Sequence, residues 1–144
     1  MSATTVRQCP GCGAKNRVPA RHVADTGTCG RCRTALPPSA EPIEANSEMF
    51  DDVVAQTKVP VLVDFWAPWC GPCRMAAPEV SKAARAVAGN AVVLKVNTDE
   101  NPDLAQRFGI QSIPTFLVFQ AGTPVRRQAG AVASDALLRM VLPD

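Results

Sequence analysis

Six cysteines, arranged as three Cys-x-x-Cys pairs, carry most of the chemistry that this sequence can do. Two pairs lie close together in a basic N-terminal stretch, and the third stands alone between an apolar run and a helical pattern. The pairs are Cys9/Cys12, Cys29/Cys32 and Cys70/Cys73. Pairs repeated at short range favour a metal, whereas a lone pair in such a setting favours thiol–disulfide exchange. The sequence therefore predicts two modules with different sulfur chemistry.

The first two pairs have the spacing of a zinc site. Sixteen residues separate Cys12 from Cys29, within the window of about 15–20 for paired zinc knuckles. Four thiolates close a tetrahedron with no open position, which indicates a structural rather than a catalytic ion. We expect one Zn²⁺, held by Cys9, Cys12, Cys29 and Cys32. Iron also accepts four sulfurs, and local disulfides or free thiols are the remaining alternatives.

The N-terminal stretch is basic, although the net charge of the chain is only +2. Up to Leu36 it has six basic residues and one acid, Asp25. No aromatic residue is interleaved among them, so stacking on bases is not expected and a solvated basic face is the better interpretation. We expect no nucleic-acid partner. His22, the only histidine, is predicted to be an exposed bystander because four cysteines already fill the metal site.

Composition indicates a globular protein with a substantial core. Hydrophobic residues make up 47% of the 144 residues and charged residues 19%, which is ordinary for a folded domain. The first residues do not resemble a signal peptide, and no apolar run approaches the ~18 residues of a membrane span. We therefore expect a cytoplasmic monomer with no membrane partner, in a compartment where thiols stay reduced.

The chain divides into three regions. Residues 1–36 form the predicted metal module, which has too little apolar material to fold without a staple. Residues 37–40 form a short, stiff linker rich in proline, and residues 41–144 have the composition of a folded domain. In that domain we expect a short strand at Ile43 and strands at 59–66, 91–96, 115–119 and 125–128. We also expect a first helix capped by Asn46 or Ser47, and helices at 73–88, 102–108 and 134–140. Their order implies a mixed sheet covered by helices on both faces.

Cys70 follows the apolar strand and precedes the second helix. Helix-terminal N–H groups and the helix dipole favour its thiolate, which is the reactive form. Cys73 lies one turn further, close enough to form a disulfide with Cys70, while Gly71 and Pro72 shape the turn between them. A structural disulfide is the alternative, but a lone pair in this setting is typical of a redox motif.

Residues 64–73, DFWAPWCGPC, resemble the active-site segment of thioredoxins. The resemblance runs from about Ile43 to the C-terminus and includes residues 112–115, SIPT, and 129–131, AGA. With the metal module, the whole chain is similar to the zinc-containing thioredoxins of bacteria. Pro68 departs from the acidic or polar residue often found there, which affects the rim of the site and not its chemistry. The resemblance implies a thioredoxin fold with a small zinc-ribbon-like module before it.

The resemblance also implies roles for individual residues. Cys70 would attack a substrate disulfide, and Cys73 would then attack Cys70 and release the reduced substrate. Asp64 would be a buried carboxylate with a raised pKa that takes the proton of Cys73, with Lys95 as its partner. Pro114 would be cis, which lets a substrate strand pair with the chain near the sulfurs.

A flat apolar docking surface is implied around the dithiol. Trp69, Ile113, Pro114, Gly130 and Ala131 would line it, whereas Trp66 is expected to be core. The resemblance implies a protein-disulfide reductase with a reduction potential of roughly −270 mV, as in thioredoxin itself. The chain has no nucleotide-binding signature, so we expect it to bind no nucleotide or flavin. Electrons would come from an NADPH-dependent thioredoxin reductase, and oxidised proteins, including those of oxidative stress, would be the substrates.

Three alternative functions stay open at this point. The first is an exported oxidase or isomerase, against which the missing signal peptide and the Gly-Pro insert count. The second is a zinc module that docks partners or nucleic acid on a thioredoxin scaffold, against which the intact dithiol of Cys70 and Cys73 counts. The third is a redox switch in which oxidants expel the metal and the four N-terminal cysteines form disulfides, which is compatible with the main interpretation.

Overall fold

The computed structural model describes residues 3–143. Two small β-hairpins precede a five-stranded sheet with four α-helices. The strands are β1 Thr4–Gln8, β2 Lys15–Pro19, β3 Gly27–Thr28, β4 Ala35–Leu36, β5 Ile43–Glu44, β6 Val61–Trp66, β7 Val92–Asn97, β8 Thr115–Gln120 and β9 Thr123–Ala129. The helices are α1 Ser47–Gln56, α2 Gly71–Val87, α3 Pro102–Arg107 and α4 Ser134–Val141, with a 3-10 helix at Ala20–His22. Within residues 3–143, no helix combines the length and apolar character that crossing a membrane requires.

The large sheet has the order β5-β7-β6-β8-β9. Strands β5, β7 and β6 run parallel, and β8 and β9 are antiparallel additions at the other side. Strand β6 is buried along almost its whole length, as the continuous apolar run predicts for a strand covered on both faces. The predicted mixed sheet is confirmed.

Helices cover both faces of this sheet. Helices α1 and α3 pack on one face, where Phe50, Phe108 and Phe119 meet edge-to-face at centroid distances of 5.3–5.5 Å. Helices α2 and α4 pack on the other face, around Leu62 and Phe116. Alternating side chains of one strand point to opposite faces. Leu62 points to the sheet face that α2 covers. Asp64 lies two residues later on the same strand and therefore points to the same face.

Local signals explain where the main helices begin. Asn46 caps α1, because its side-chain oxygen accepts a hydrogen bond from the Met49 N–H at 2.9 Å, one of the two caps that the sequence suggests. Helix α2 continues through Pro78. One expectation is wrong: Pro124 lies inside β9 rather than before it, opposite Phe119 at an irregularity of the β8/β9 ladder, where a missing N–H is tolerated.

The N-terminal module contains four strands that the sequence pattern does not reveal. Strands β1 and β2 form one hairpin, and the two-residue strands β3 and β4 form a second. Each hairpin carries one Cys-x-x-Cys pair at its turn. The turn of the first ends at Gly13 with φ +77°, and that of the second at Arg33 with φ +68°. The two hairpins are thus structural repeats, one of which places a non-glycine residue in the left-handed region.

The two modules share a hydrophobic core. Ala20 and Val23, from the 3-10 helix and the residue after it, are fully buried in the cluster that contains Phe50 and Val53 of α1. The Ser39 N–H donates to the Val23 carbonyl at 3.1 Å, so the linker also lies against the module. The module therefore uses core-forming contacts with α1 in addition to its cysteines.

Arg7 departs from the solvated basic face that composition suggests. Its guanidinium donates to five backbone carbonyls at 2.8–3.4 Å, which belong to His22, Val23, Asp25, Leu36 and Pro37. A planar guanidinium can satisfy several acceptors at once. Arg7 thus joins the first hairpin to the segment between the two hairpins and to the start of the linker.

Candidate functional site

Cys70 and Cys73 lie at the N-terminus of α2 and are joined by a disulfide, with their Cα atoms 5.2 Å apart. Cys70 is the N-cap residue, and its sulfur accepts from the Cys73 N–H at 3.1 Å. The two side chains are only 3% and 5% exposed. A sulfur at this position receives helix-terminal N–H groups, which favour its thiolate after reduction. The pair can therefore exist as a disulfide and as a dithiol with an activated first sulfur.

A second loop faces the disulfide. The Cys70 sulfur lies 3.7 Å from the Ile113 carbonyl oxygen, and the Ile113–Pro114 peptide bond is cis. Thr115 holds this loop by donating its hydroxyl to the Ser112 carbonyl at 2.6 Å. Ile113 is half-buried against Ala67 and the two cysteines. Backbone polar groups and an apolar side chain thus flank the sulfurs.

The surface around the dithiol is partly apolar and open. Trp69 is 67% exposed, and its indole N–H donates to the Asp99 carboxylate at 3.0 Å. Gly130 and Ala131 are exposed, and the Gly130 N–H donates to the Pro114 carbonyl at 2.8 Å. Since that bond joins the segment after β9 to the Pro114 loop, the predicted docking residues Ile113, Gly130 and Ala131 lie around Pro114, which is itself buried. Gly71 and Pro72 form the first turn of α2.

Asp64 is a buried carboxylate on the sheet face that α2 covers. It is 2% exposed, and its Oδ1 has no hydrogen-bond partner among the described residues. Desolvation raises the pKa of Asp64 to about 7, although Lys95 acts in the opposite direction. A carboxyl group with this pKa can take up and release a proton near neutrality.

Lys95 lies beside Asp64 on the neighbouring strand, since the two residues are in register between β6 and β7. Its ammonium lies 4.4 Å above the centroid of the Trp66 ring. Trp66, which the sequence assigns to the core, is half-buried rather than fully buried. The indole thus supports the lysine on the sheet, a contact that the sequence analysis missed and that the i+2 spacing of Asp64 and Trp66 on one strand face could have indicated.

The other four cysteines converge at the tips of the two N-terminal hairpins. Their sulfur atoms all lie within 4.8 Å of one another, with Cys9 and Cys32 at 3.5 Å and Cys12 and Cys29 at 3.7 Å. A tetrahedral zinc ion with Zn–S bonds of about 2.3 Å separates its sulfurs by roughly 3.8 Å. The residues present therefore fit one four-thiolate ion, and His22 lies outside the set because it pairs with Asp25 at 2.8 Å.

Backbone N–H groups prepare one sulfur of each pair for a cation. The Cys9 sulfur accepts from the N–H groups of Gly11 and Cys12, and the Cys29 sulfur accepts from those of Arg31 and Cys32, at 3.3–3.5 Å. The N–H groups of Cys32 and Arg31 lower the pKa of Cys29 to about 6. Such bonds stabilise thiolates, which is the ionisation state that binds metal.

Two residues around this cluster were missed from the sequence. Asn16 donates to the Cys29 sulfur at 3.6 Å and accepts from the Gly30 N–H at 3.0 Å, so it joins β2 to the second knuckle. Thr34 accepts from the Cys32 thiol at 3.0 Å. Their positions, two to four residues after a Cys-x-x-Cys pair in each half of the internal repeat, could have indicated them.

A Cys-x-x-Cys pair that caps a helix beside an apolar loop, on a mixed sheet covered on both faces, defines a thiol–disulfide oxidoreductase. The thioredoxin family model matches residues 41–142, and the chain belongs to the thioredoxin family. Thioredoxins reduce protein disulfides and are regenerated by thioredoxin reductase, so the predicted protein-disulfide reductase is confirmed.

Individual relatives and structures agree with this assignment. Thioredoxin C-3 of Corynebacterium nephridii is 43% identical over 124 residues, which are 86% of this chain and 84% of the relative. Thioredoxin 1 of a Nostoc strain is 50% identical over 94 residues, 65% of this chain and 88% of its own. The structure of a mutant thioredoxin from Halobacterium salinarum has a TM-score of 0.66 at 36% identity and covers 72% of this chain and 89% of its own. The first alignment is longer than the family match to residues 41–142, so it extends beyond the thioredoxin domain.

Proposed function

We propose that Cys70 is the attacking sulfur and Cys73 the resolving sulfur of this reductase. The Cys70 thiolate attacks one sulfur of a substrate disulfide, forms a mixed disulfide and releases the other substrate sulfur as a thiolate. The Cys73 thiolate then attacks the Cys70 sulfur, which releases the second substrate thiol and leaves the Cys70–Cys73 disulfide. Thioredoxin reductase returns the two electrons. The position of Cys70 as the N-cap of α2, beside the Ile113 carbonyl, is the observation that carries this assignment.

Asp64 is the proposed proton acceptor for Cys73, and Lys95 is its charge partner. The carboxyl group is desolvated on the sheet face under α2, and its pKa of about 7 suits proton exchange near neutrality. Lys95 lies in register beside it and acts against the desolvation. A proton passes from the Cys73 thiol to Asp64 in the resolving step and leaves to solvent afterwards.

Substrates are proposed to dock on the surface formed by Trp69, Ile113, Pro114, Gly130 and Ala131. The exposed indole and the half-buried Ile113 provide apolar contact, while the backbone of the Ile113 loop can pair with an extended substrate segment. Oxidised proteins that expose a disulfide in an extended segment are therefore the proposed substrate class. An NADPH-fed reductase, a monomeric state, a cytoplasmic location and a role in oxidative stress belong to the same proposal.

Cys9, Cys12, Cys29 and Cys32 are proposed to hold one zinc ion with a structural role. The sulfur spacings match a tetrahedral four-thiolate site, and backbone N–H groups stabilise its charge. The ion would supply folding free energy to residues 1–36, which bury little apolar surface of their own. In this division, residues 37–40 are the linker and residues 41–144 the thioredoxin domain.

A redox-responsive metal module is the second candidate function. The side chains of Cys12 and Cys32 are exposed while those of Cys9 and Cys29 are buried. Each exposed sulfur lies 3.5–3.7 Å from a buried one of the other pair. An oxidant could therefore reach one sulfur of each pair, and two disulfides could replace the ion. Zinc release by peroxide together with a change in reductase activity would support this function.

Two variants with opposite effects test the main proposal. Cys70→Ser is expected to abolish insulin reduction with thioredoxin reductase and NADPH while keeping one zinc per chain by atomic absorption. Cys29→Ser is expected to lose the zinc and keep disulfide reduction at a measurable rate. Turnover by the Cys70→Ser variant would refute the redox assignment, and a full zinc content in the Cys29→Ser variant would refute the metal assignment.

A further inference from the structure

Three charged residues lie in one row across the parallel part of the sheet. Glu44 on β5 is in register with Lys95 on β7, and Lys95 is in register with Asp64 on β6. Residues in register on neighbouring strands point to the same face, with the strands ~4.8 Å apart. Lys95 is therefore placed between two carboxylates, only one of which belongs to the proposed proton site.

The environments of the three residues differ in depth. Asp64 is 2% exposed, Lys95 is half-buried with its ammonium over the Trp66 ring, and Glu44 lies exposed at the sheet edge, although its carboxylate is partly desolvated. Among the described residues, Lys95 forms no direct ion pair with either carboxylate. Its charge is thus not committed to one partner and acts on both.

We propose that Glu44 is a positioning residue for the proton step. Glu44 competes with Asp64 for the positive charge of Lys95 and so sets the pH at which Asp64 can accept the Cys73 proton. The inference rests on the proposed function, in which Asp64 accepts that proton. Glu44 acts through Lys95 and through its own negative charge, without touching substrate or sulfur. It adds a residue to the site that neither the Cys-x-x-Cys motif nor its flanking run contains.

The pKa directions agree with this geometry. Desolvation raises the pKa of Asp64, Lys95 lowers it, and Glu44 raises it further. Reciprocally, desolvation raises the pKa of Glu44 and Lys95 lowers it. The negative charge of an ionised Glu44 therefore offsets part of the decrease that Lys95 causes in the pKa of Asp64. As a result, Asp64 keeps its proton to a higher pH.

Among the residues that the structure describes, Glu44 is the carboxylate that shares this row with Lys95 and Asp64. Strand β8 presents Phe116 in register with Asp64, which carries no charge. Helix α2 covers this face of the sheet and contains Cys73 in its first turn; the Cys73 thiol is the proton donor in the proposed step. Glu100, in the loop after β7, is exposed and acts on Glu44 by raising its pKa. Lys95 is thus the cation of the row and Glu44 its second anion.

The test follows the carboxyl carbon of Asp64 by ¹³C NMR against pH in the reduced full-length protein. Glu44→Gln removes the charge and keeps the shape, and is expected to lower the Asp64 titration midpoint by roughly 0.2–0.7 pH units, the range for a partly screened charge pair. Glu44→Asp keeps the charge, and its midpoint is expected to stay closer to that of the wild type. Glu41→Gln, which removes an equal charge from an exposed position, is the matched control.

The pH profile of insulin reduction provides the second measurement. In Glu44→Gln the acid limb of kcat is expected to move to lower pH by the same amount, with KM unchanged because Glu44 is not part of the proposed docking surface. An unmoved Asp64 midpoint in Glu44→Gln, or an equal shift in Glu41→Gln, would overturn the inference. Failure of the proposed function would give a different result: the acid limb of the Asp64→Asn variant would then match that of the wild type.

Discussion

Burial of the Asp64 carboxylate makes the free energy of unfolding depend on pH. The folded pKa of about 7 lies above the unfolded value of roughly 3.9. Between those values the folded state binds more protons than the unfolded state, so the free energy of unfolding falls as pH rises. The difference corresponds to roughly 3–5 kcal/mol. Asp64→Asn is expected to remove most of this decline between pH 5 and pH 8, measured by urea unfolding of the oxidised protein.

A matched variant isolates burial as the cause. Asp135→Asn removes an exposed carboxylate from the first turn of α4 and is expected to leave the pH dependence nearly unchanged. If wild type and Asp64→Asn lose stability equally between pH 5 and pH 8, the raised pKa of Asp64 is not the cause of that loss.

Lys95 acts on the same carboxylate with the opposite sign. Lys95→Met keeps the aliphatic stem over Trp66 and removes the charge that lowers the pKa of Asp64. The acid limb of the pH profile of insulin reduction is therefore expected to move to higher pH, by roughly 0.5–1 unit. Lys58→Met, which removes an exposed lysine, should leave the profile in place. A shift to lower pH in Lys95→Met would contradict the pairing.

At the scale of elements, α1 supports both modules because it packs on the sheet and on Ala20 and Val23. Asn46→Ala removes the cap that satisfies the Met49 N–H and is expected to reduce the free energy of unfolding by about 1 kcal/mol. Gln56→Ala, at the exposed end of the same helix, should change it by no more than about 0.5 kcal/mol. Chemical denaturation of the two variants checks this, and equal stabilities would exclude a capping contribution.

Elements with a strong local signal were predictable, and those defined by distant partners were not. The apolar run predicts β6 to within about two residues, and the cap candidates predict the start of α1. Strands β3 and β4 are two residues each and pair across the second cysteine pair, so convergence of the four sulfurs rather than side-chain periodicity specifies them. Pro124 lies within β9 because that strand is at the sheet edge, a position that only the strand order reveals.

At the scale of the whole molecule, the site residues that belong to a local motif were likewise predictable, and those brought in by distant strands were not. Both groups of cysteines are visible as local Cys-x-x-Cys motifs, and the proposed role of Asp64 comes with the run of residues before Cys70. Glu44 is not visible, since it reaches Lys95 through pairing of β5 with β7, which are separated by two helices and a strand. The contact of Val23 with α1 is hidden for the same reason. Registers between distant strands and packing between modules require the folded chain.

Because the two modules share a core, loss of the proposed zinc should destabilise the thioredoxin domain as well. Removing the ion would unfold residues 1–36 and withdraw Val23, which is fully buried against α1. Burial of one valine contributes about 2 kcal/mol, which corresponds to a decrease in Tm of roughly 8–16 °C for a domain of about 100 residues. Differential scanning calorimetry with and without a chelator measures the shift, while a colorimetric indicator confirms that zinc is released. Cys29→Ser should start at the lower Tm and show no further decrease with chelator, whereas an unchanged Tm after complete zinc release would show that the modules are energetically independent.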